Sequence, residues 1–195
     1  MINNIGAIVL AAGLSRRMGK PKMLLPWGSG TVIEHVVGVC SHTLTETIVV
    51  CGQYFQEISV LTQGKNVKVV YNENYANGEM LDSLRKGLTE ISTEIEAAFI
   101  VLGDQPFIQA SLLEKIINQF YQSERKILIP SYQMRRGHPW LVHKELLREF
   151  WKLPPGETMR DFLKLHQSEI EYCEVNDQSI LLDIDTPEDY EKYKP

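Results

Sequence analysis

The feature that most restricts how this chain can fold is an alternation of two hydrophobic periods. Short, predominantly apolar runs at 5–10, 47–51, 67–71 and 97–102 read as buried strands, because a strand covered on both faces loses its apolar/polar alternation. Between and after them, 31–42, 55–61, 80–91 and 109–121 carry apolar residues at helical spacing, and Thr31 is placed to cap the first of these. Further strands are expected at 127–130, 139–143 and 180–184 and helices at 145–151 and 159–166, with Pro187 opening a last short helix. Strands joined through helices must run parallel, and the helices then cover both faces. The expected class is therefore α/β, a three-layer sandwich with a mostly parallel central sheet in which 139–143 can run antiparallel. Ligands of such sheets sit outside the carboxyl ends of the strands. A length of 195 residues fits about one domain. The strongest loop signal, Pro154-Pro155-Gly156, leaves too little chain behind it for a second, so 1–195 reads as one domain.

Charge and cysteine usage narrow the partners. With 20 Lys and Arg against 25 Asp and Glu the net charge is −5, opposite to the footprint of a nucleic-acid binder, so any polyanion site must be local. Cys40, Cys51 and Cys173 are odd in number and form no CxxC pair, which fits reduced thiols and a cytoplasmic setting. The longest apolar run, 97–102, falls far short of the roughly 20 residues of a membrane span. Met1-Ile2-Asn3-Asn4 lacks the basic and apolar regions of an export signal, so neither membrane nor export is expected.

The first loop, Leu10-Ala11-Ala12-Gly13-Leu14-Ser15-Arg16-Arg17-Met18-Gly19-Lys20-Pro21-Lys22, places four cations within seven residues directly after a buried strand. The small residues Ala11, Ala12 and Gly13 let a flat or anionic ligand approach the backbone, while amide groups, Ser15 and the cations can face phosphate oxygens. A solvated basic loop is the alternative reading, and the position after a buried strand favours the phosphate cradle. It is not a Walker loop: five residues rather than four separate Gly13 from Gly19-Lys20, and Pro21 stands where Ser or Thr would bind magnesium.

Two other segments supply carboxylates. Asp104 follows a strand within Gly103-Asp104-Gln105-Pro106 and should emerge at the carboxyl end of the sheet. Asp183 and Asp185 lie near the end of the strand expected at 180–184, two residues apart and hence on one face. Mg²⁺ needs one or two carboxylates beside phosphate oxygens and water, so Asp104 with either Asp183 or Asp185 suffices. The competing reading makes Asp183 and Asp185 turn or cap residues before Pro187, and Asp189 is expected as a solvated charge on the last helix. Arg136 and His138, beside Arg135, could dock an anionic substrate, or His138 could be structural. A catalytic base is not required of it, because a phosphate nucleophile is ionised near neutral pH. His35, His42, His143 and His166 show no metal spacing. Met80, Leu81, Leu84 and Leu88 read as core, and Trp27, Trp140 and Trp151 as core or cleft wall.

Taken in order, the first loop, Gly103-Asp104-Gln105-Pro106, Arg136-Gly137-His138-Pro139 and Asp183-Ile184-Asp185-Thr186-Pro187-Glu188-Asp189 span nearly the whole chain. Together they resemble the MobA-like nucleotidyltransferases, whose first loop is written LAAGxSxRMGxPK, and especially their molybdenum cofactor cytidylyltransferases. The resemblance implies a Rossmann-like nucleotidyltransferase fold of the nucleotide-diphospho-sugar transferase kind. It also implies Mg²⁺-dependent transfer of CMP from CTP to the phosphate of molybdopterin, with release of pyrophosphate and a molybdoenzyme as later recipient. Arg17, Lys22 and Asp104 would then be catalytic. Leu10, Ala11, Ala12, Gly13, Ser15, Arg16, Arg17, Lys22, Gly78, Ser83 and Asp104 would hold the nucleotide, Asp104 and Asp185 the metal, and Arg136 and His138 the acceptor. The chain departs from the family at Gly78-Glu79-Met80-Leu81-Asp82-Ser83-Leu84, where a run of the GMSSSL type is usual. Guanylyl-transferring relatives tend to carry Gly where this chain has Ala12, whose methyl would crowd a purine. Other implied activities are guanylyl transfer, transfer to a sugar or polyol phosphate, or delivery of cofactor without chemistry, against which the complete set of Arg17, Lys22, Asp104 and Asp185 argues.

Overall fold

A computed structural model describes residues 4–15 and 17–195. The elements in chain order are β1 (Ile5–Ala11), a small hairpin of β2 (Pro26–Trp27) and β3 (Gly30–Thr31), α1 (Val32–Thr43), β4 (Glu46–Cys51), α2 (Phe55–Leu61), β5 (Lys68–Tyr71) and α3 (Met80–Leu88). There follow β6 (Ala97–Leu102), α4 (Ala110–Gln122), β7 (Ile127–Tyr132), β8 (Arg135–Arg136), β9 (Trp140–His143), α5 (Lys144–Leu147), α6 (Met159–Leu165), β10 (Ile170–Glu174) and α7 (Pro187–Tyr193). The main sheet runs β10-β7-β9-β6-β1-β4-β5, with β8 paired to β7. Its main strands are parallel except β9, which is antiparallel to both β6 and β7, as the sequence allowed.

The period-2 alternation of β1 explains the three layers. Ile5, Ala7, Val9 and Ala11 pack with Ile33, Val36 and Val37 of α1 and with Leu113, Ile116 and Phe120 of α4. Ile8 and Leu10 point to the other face and pack with Leu81 and Leu84 of α3, Phe150, and Phe162 of α6. Thr31 caps α1 as expected, in a reciprocal box with Glu34. Because β1 pairs in parallel with β4 on one side and β6 on the other, the connections leave it in opposite directions and a crevice opens at its carboxyl end. Leu10 sits level with Leu102, so the first loop and the Gly103-Asp104 turn leave the sheet side by side.

Three expectations are corrected. Residues 180–184 form no strand: the chain makes a 3₁₀ turn at Gln178–Leu181 and then runs extended, with the Ile184 amide donating to the Asp104 carbonyl at 3.1 Å instead of joining the sheet. The edge position belongs to β10, whose sequence IEYCE buries only Cys173 fully and so carries little apolar signal. The helix expected at 145–151 is α-helical only to Leu147 and tightens to 3₁₀ over Arg148–Trp151. Met80, expected in the core, is 53% exposed, whereas Leu81 and Leu84 are buried. No described helix is long and apolar enough to cross a membrane.

The seat of α3 depends on one missing side chain. A Cβ on Gly87 would lie 2.4 Å from Ile8 Cγ2 and 3.1 Å from Val50 Cγ2, so the helix reaches β1 and β4 only because that residue is glycine. Gly87→Val should cost about 1–3 kcal/mol through overpacking. Thermal unfolding should record that as a fall in Tm of roughly 3–10 °C for a chain of this size. An unchanged Tm would contradict this packing.

Candidate active site

Asp104 is placed by the turn that ends β6. That turn passes so close to β1 that a Cβ on Gly103 would meet the Leu10 carbonyl at 3.1 Å and Met23 Sδ at 3.2 Å. The Gly103 amide donates to Leu10 O at 3.0 Å, which fixes the turn against the start of the first loop. Asp185 arrives from the other end of the chain. Ile184 is fully buried with Met18 and Val32, and its amide is bonded to Asp104. The neighbours of that buried residue, Asp183 and Asp185, therefore both face the same cleft, as their spacing predicts although no strand carries them. Beyond them Thr186 caps α7, and Asp189, expected as a solvated charge, accepts from the Thr186 amide at 2.9 Å and hydroxyl at 2.8 Å, closing a capping box.

Lys22 begins a 3₁₀ turn (Lys22–Leu24) whose next residue, Met23, is buried. Its amide donates to Ser15 Oγ at 3.3 Å, and Gly19 supplies the left-handed backbone (φ 62°) that the loop needs. The side chain turns inward, only 11% exposed, and its Nζ donates to Asp104 Oδ2 at 2.5 Å and to Asp185 Oδ1 at 2.9 Å. The two carboxylate oxygens are thus no farther apart than the sum of those lengths, about 5.4 Å. Arg17, 79% exposed at the rim, reaches Asp185 Oδ2 at 3.3 Å. Burial alone would lower the Lys22 pKa. The charge of Asp104 and hydrogen bonds to both aspartates outweigh it, so the pKa is raised and the ammonium stays charged at neutral pH. Asp183 has its carboxyl pKa raised by burial first and then by the charges of Asp104 and Asp185.

A cleft of about 550 Å³ opens here, and Leu10, Ala12, Gly13, Lys22, Gly78, Ser83, Asp104, Asp183 and Asp185 all line it. Ser83 is buried and accepts from Asn72 Nδ2 at 3.0 Å. Ala11 faces the core beneath, and Ser15 is engaged with the Lys22 backbone. Arg16 lies outside the described residues. Tyr75, Asn77, Glu79 and Met80 also line the cleft and were not identified from sequence. A second cleft, about 580 Å³, adjoins the first and shares Met80, Leu102 and Asp183 with it. Arg135, Arg136, His138, Trp140, Arg160 and Lys164 are among its lining. A tight turn with Gln133 (φ 48°) and Met134 (φ 63°) left-handed leads into the two exposed arginines of β8. Arg160 and Lys164 went unread, although their i,i+4 spacing on a predicted helix puts them on one face.

His138 belongs to the wall of this second cleft. Its ring stacks on Trp140, with centroids 4.5 Å apart and planes at 14°, and its Nδ1 is buried with no hydrogen-bond partner among the described residues. A Cβ on Gly137 would lie 2.4 Å from the Ile180 carbonyl, so this segment runs tightly against the 178–181 turn. Burial lowers the His138 pKa to about 4, opposed in part by the Ile100 backbone, and the imidazole is neutral at pH 7.

No group of three or more His, Cys, Asp or Glu side chains forms a metal cage among the described residues. Asp104 and Asp185 nevertheless converge on a single cation, the Lys22 ammonium. A pair of carboxylates is the donor set that suits a divalent ion whose other ligands are phosphate oxygens and water.

A mostly parallel sheet with one antiparallel inner strand, and a cationic loop facing two aspartates at its carboxyl edge, defines a nucleotidyltransferase of the nucleotide-diphospho-sugar transferase fold. Residues 7–170 match the MobA-like NTP transferase domain, and the chain belongs to that family. It is 32% identical over 95% of its length to the molybdenum cofactor cytidylyltransferase of Escherichia coli K12, covering 93% of that protein. It is 29% identical over 98% of its length to a probable molybdenum cofactor guanylyltransferase of Natranaerobius thermophilus, covering 96% of it. Two crystal structures of Rv0371c from Mycobacterium tuberculosis H37Rv, the second a complex with manganese, match with TM-scores of 0.84 and 0.78. Their identities are 25% and 26%, with 98% and 96% of each chain covered.

The buried histidine generates a pH prediction. The folded pKa of about 4 lies below the ordinary 6.5, so the unfolded chain takes up the proton first. The stability at stake is intact above about pH 6.5 and lost as pH falls toward 4, up to about 3 kcal/mol. His138→Phe, which keeps the stack on Trp140, should remove this component. The Tm of the native protein should then fall faster than that of the variant between pH 7 and 4.5, and parallel curves would contradict the burial.

Proposed function

We propose that the chain transfers CMP from CTP to the terminal phosphate of molybdopterin or its metal-loaded form, releasing pyrophosphate, in the cytoplasm and with Mg²⁺ as its divalent ion. The observation that carries this reading is the meeting of Lys22, Asp104 and Asp185, from three distant segments, at the floor of one cleft beside a second, cation-lined one. The likeness to curated molybdenum cofactor cytidylyl- and guanylyltransferases supports the acceptor class, and the manganese complex of Rv0371c supports a divalent ion. The choice of CTP rests on the resemblance to the cytidylyltransferases, and Ala12, which lines the first cleft with a methyl group where guanylyl-transferring relatives tend to have Gly, agrees with it. On this reading residues 1–195 act as one catalytic domain, with a molybdoenzyme as recipient of the product and neither nucleic acid nor membrane as a partner.

The small loop at Ala12-Gly13 brings backbone amides to the phosphates. Lys22 and Arg17 offset negative charge on the triphosphate and on the departing pyrophosphate. Arg135, Arg136, Arg160 and Lys164 dock the acceptor phosphate. Asp104 and Asp185 would hold the divalent ion, which when bound supplies charge neutralisation at the reacting phosphate. An oxygen of the acceptor phosphate attacks the α-phosphorus, the bond from that phosphorus to the bridging oxygen of the β-phosphate breaks, and pyrophosphate leaves. The nucleophile is already ionised, so the neutral His138 is a wall of the acceptor cleft and no base is needed. Orientation and electrostatics supply the rate gain.

Purified protein with Mg²⁺, CTP and molybdopterin should release pyrophosphate. CTP should surpass GTP by at least about tenfold in kcat/KM, the range one steric contact in a pocket can give. Failure to release pyrophosphate with any nucleotide and acceptor would overturn the assignment, and a GTP preference would overturn the base. Asp104→Asn should melt within a few degrees of the native protein yet lose at least about 10²-fold in kcat, the scale of one lost electrostatic contact to the transition state. An active variant would remove Asp104 from the metal site.

A further inference from the structure

The position of Lys22 bears on when a metal ion can enter. Its Nζ lies 2.5 Å from one carboxylate of the pair and 2.9 Å from the other, the place a cation shared by Asp104 and Asp185 would take. Two positive charges cannot both stand there, since their repulsion grows as the separation shrinks to a few ångströms. The backbone of Lys22 is fixed by the buried Met23 and by Ser15, while its ammonium is held by the two carboxylates. Its four-carbon stem leaves the ammonium able to swing, and the same side chain lines the nucleotide cleft beside Ala12 and Gly13.

We propose that Lys22 and the divalent ion exclude one another at Asp104 and Asp185, so that the ion binds tightly only once a triphosphate has drawn the lysine away. This rests on the metal assignment made above. Lys22 is then a positioning residue that couples the two ligands, and the coupling is reciprocal: the ion favours the lysine's transfer to phosphate as much as phosphate favours the ion. Arg17 provides the comparison. It carries the same charge and touches Asp185, but from the exposed rim and outside the shared position, so solvent screens it.

The test is Mn²⁺ binding to the nucleotide-free protein, followed by the electron paramagnetic resonance signal of the free ion. Lys22→Met should bind Mn²⁺ at least about tenfold more tightly than the native chain, the factor expected from releasing one charge-assisted contact. Arg17→Met should change affinity by no more than about threefold, as for an exposed ion pair. If Lys22→Met does not fold, Lys22→Gln takes its place, retaining a donor without the charge. Binding no tighter than native, or an equal gain in Arg17→Met, would overturn the exclusion. Adding Asp104→Asn to Lys22→Met separates the two levels. Loss of the gain supports the proposal, whereas a gain that survives sinks the metal assignment itself. Native-like affinity in Lys22→Met, alongside an inactive Asp104→Asn enzyme, removes only the exclusion.

Discussion

A lysine on the first loop is held between carboxylates 82 and 163 residues further along the chain, and the arrangement of the site depends on that contact. A charge with so little exposure is costly to take out of water and persists only where opposite charges and hydrogen bonds compensate it. The fold provides the compensation by structural means. Parallel pairing of β1 with β6 sets the first loop beside the Asp104 turn, and the Ile184 amide ties the C-terminal segment to that turn. Met23 and Ile184, both buried, anchor the backbone on either side of the ion pair. Tyr190 of α7 adds a hydrogen bond to the Pro26 carbonyl at 2.7 Å, so even the last helix is tied to the first hairpin.

Around this centre the charge is distributed so that a chain of net charge −5 can still receive anions. The cations cluster at the first loop and along the second cleft, with Arg135 and Arg136 on β8 and Arg160 and Lys164 on α6. The aspartates gather on the border of the two clefts, and Asp183 lines both. A neutral, stacked histidine completes the wall of the second cleft.

Much of this was legible in the sequence because it is locally encoded. The apolar runs of β1 and β6, the Thr31 cap with Glu34, and the helical spacing of α1 and α4 each need only a few neighbouring residues to be read. Asp104 was legible because a carboxylate directly after a buried parallel strand must emerge at the ligand edge. Asp183 and Asp185 were read as sharing a face, but for the wrong element. Their segment is extended because Ile184 is buried and bonded to Asp104, a contact 80 residues away that no local pattern reveals. The edge strand β10 was missed because its exposed Glu171, Tyr172 and Glu174 mask the period. Met80 looked like core by its type, yet it lies on the face of α3 that opens between the two clefts.

The site depends on one position in space, the point between Asp104 and Asp185 that the Lys22 ammonium occupies. Its most direct test is a crystal of the protein with Mn²⁺ and a non-hydrolysable CTP analogue, with the metal located by its anomalous scattering. The expected result is a peak bound by oxygens of both Asp104 and Asp185, with Lys22 Nζ moved onto a phosphate. A peak away from both aspartates, with Lys22 still bridging them, would contradict it.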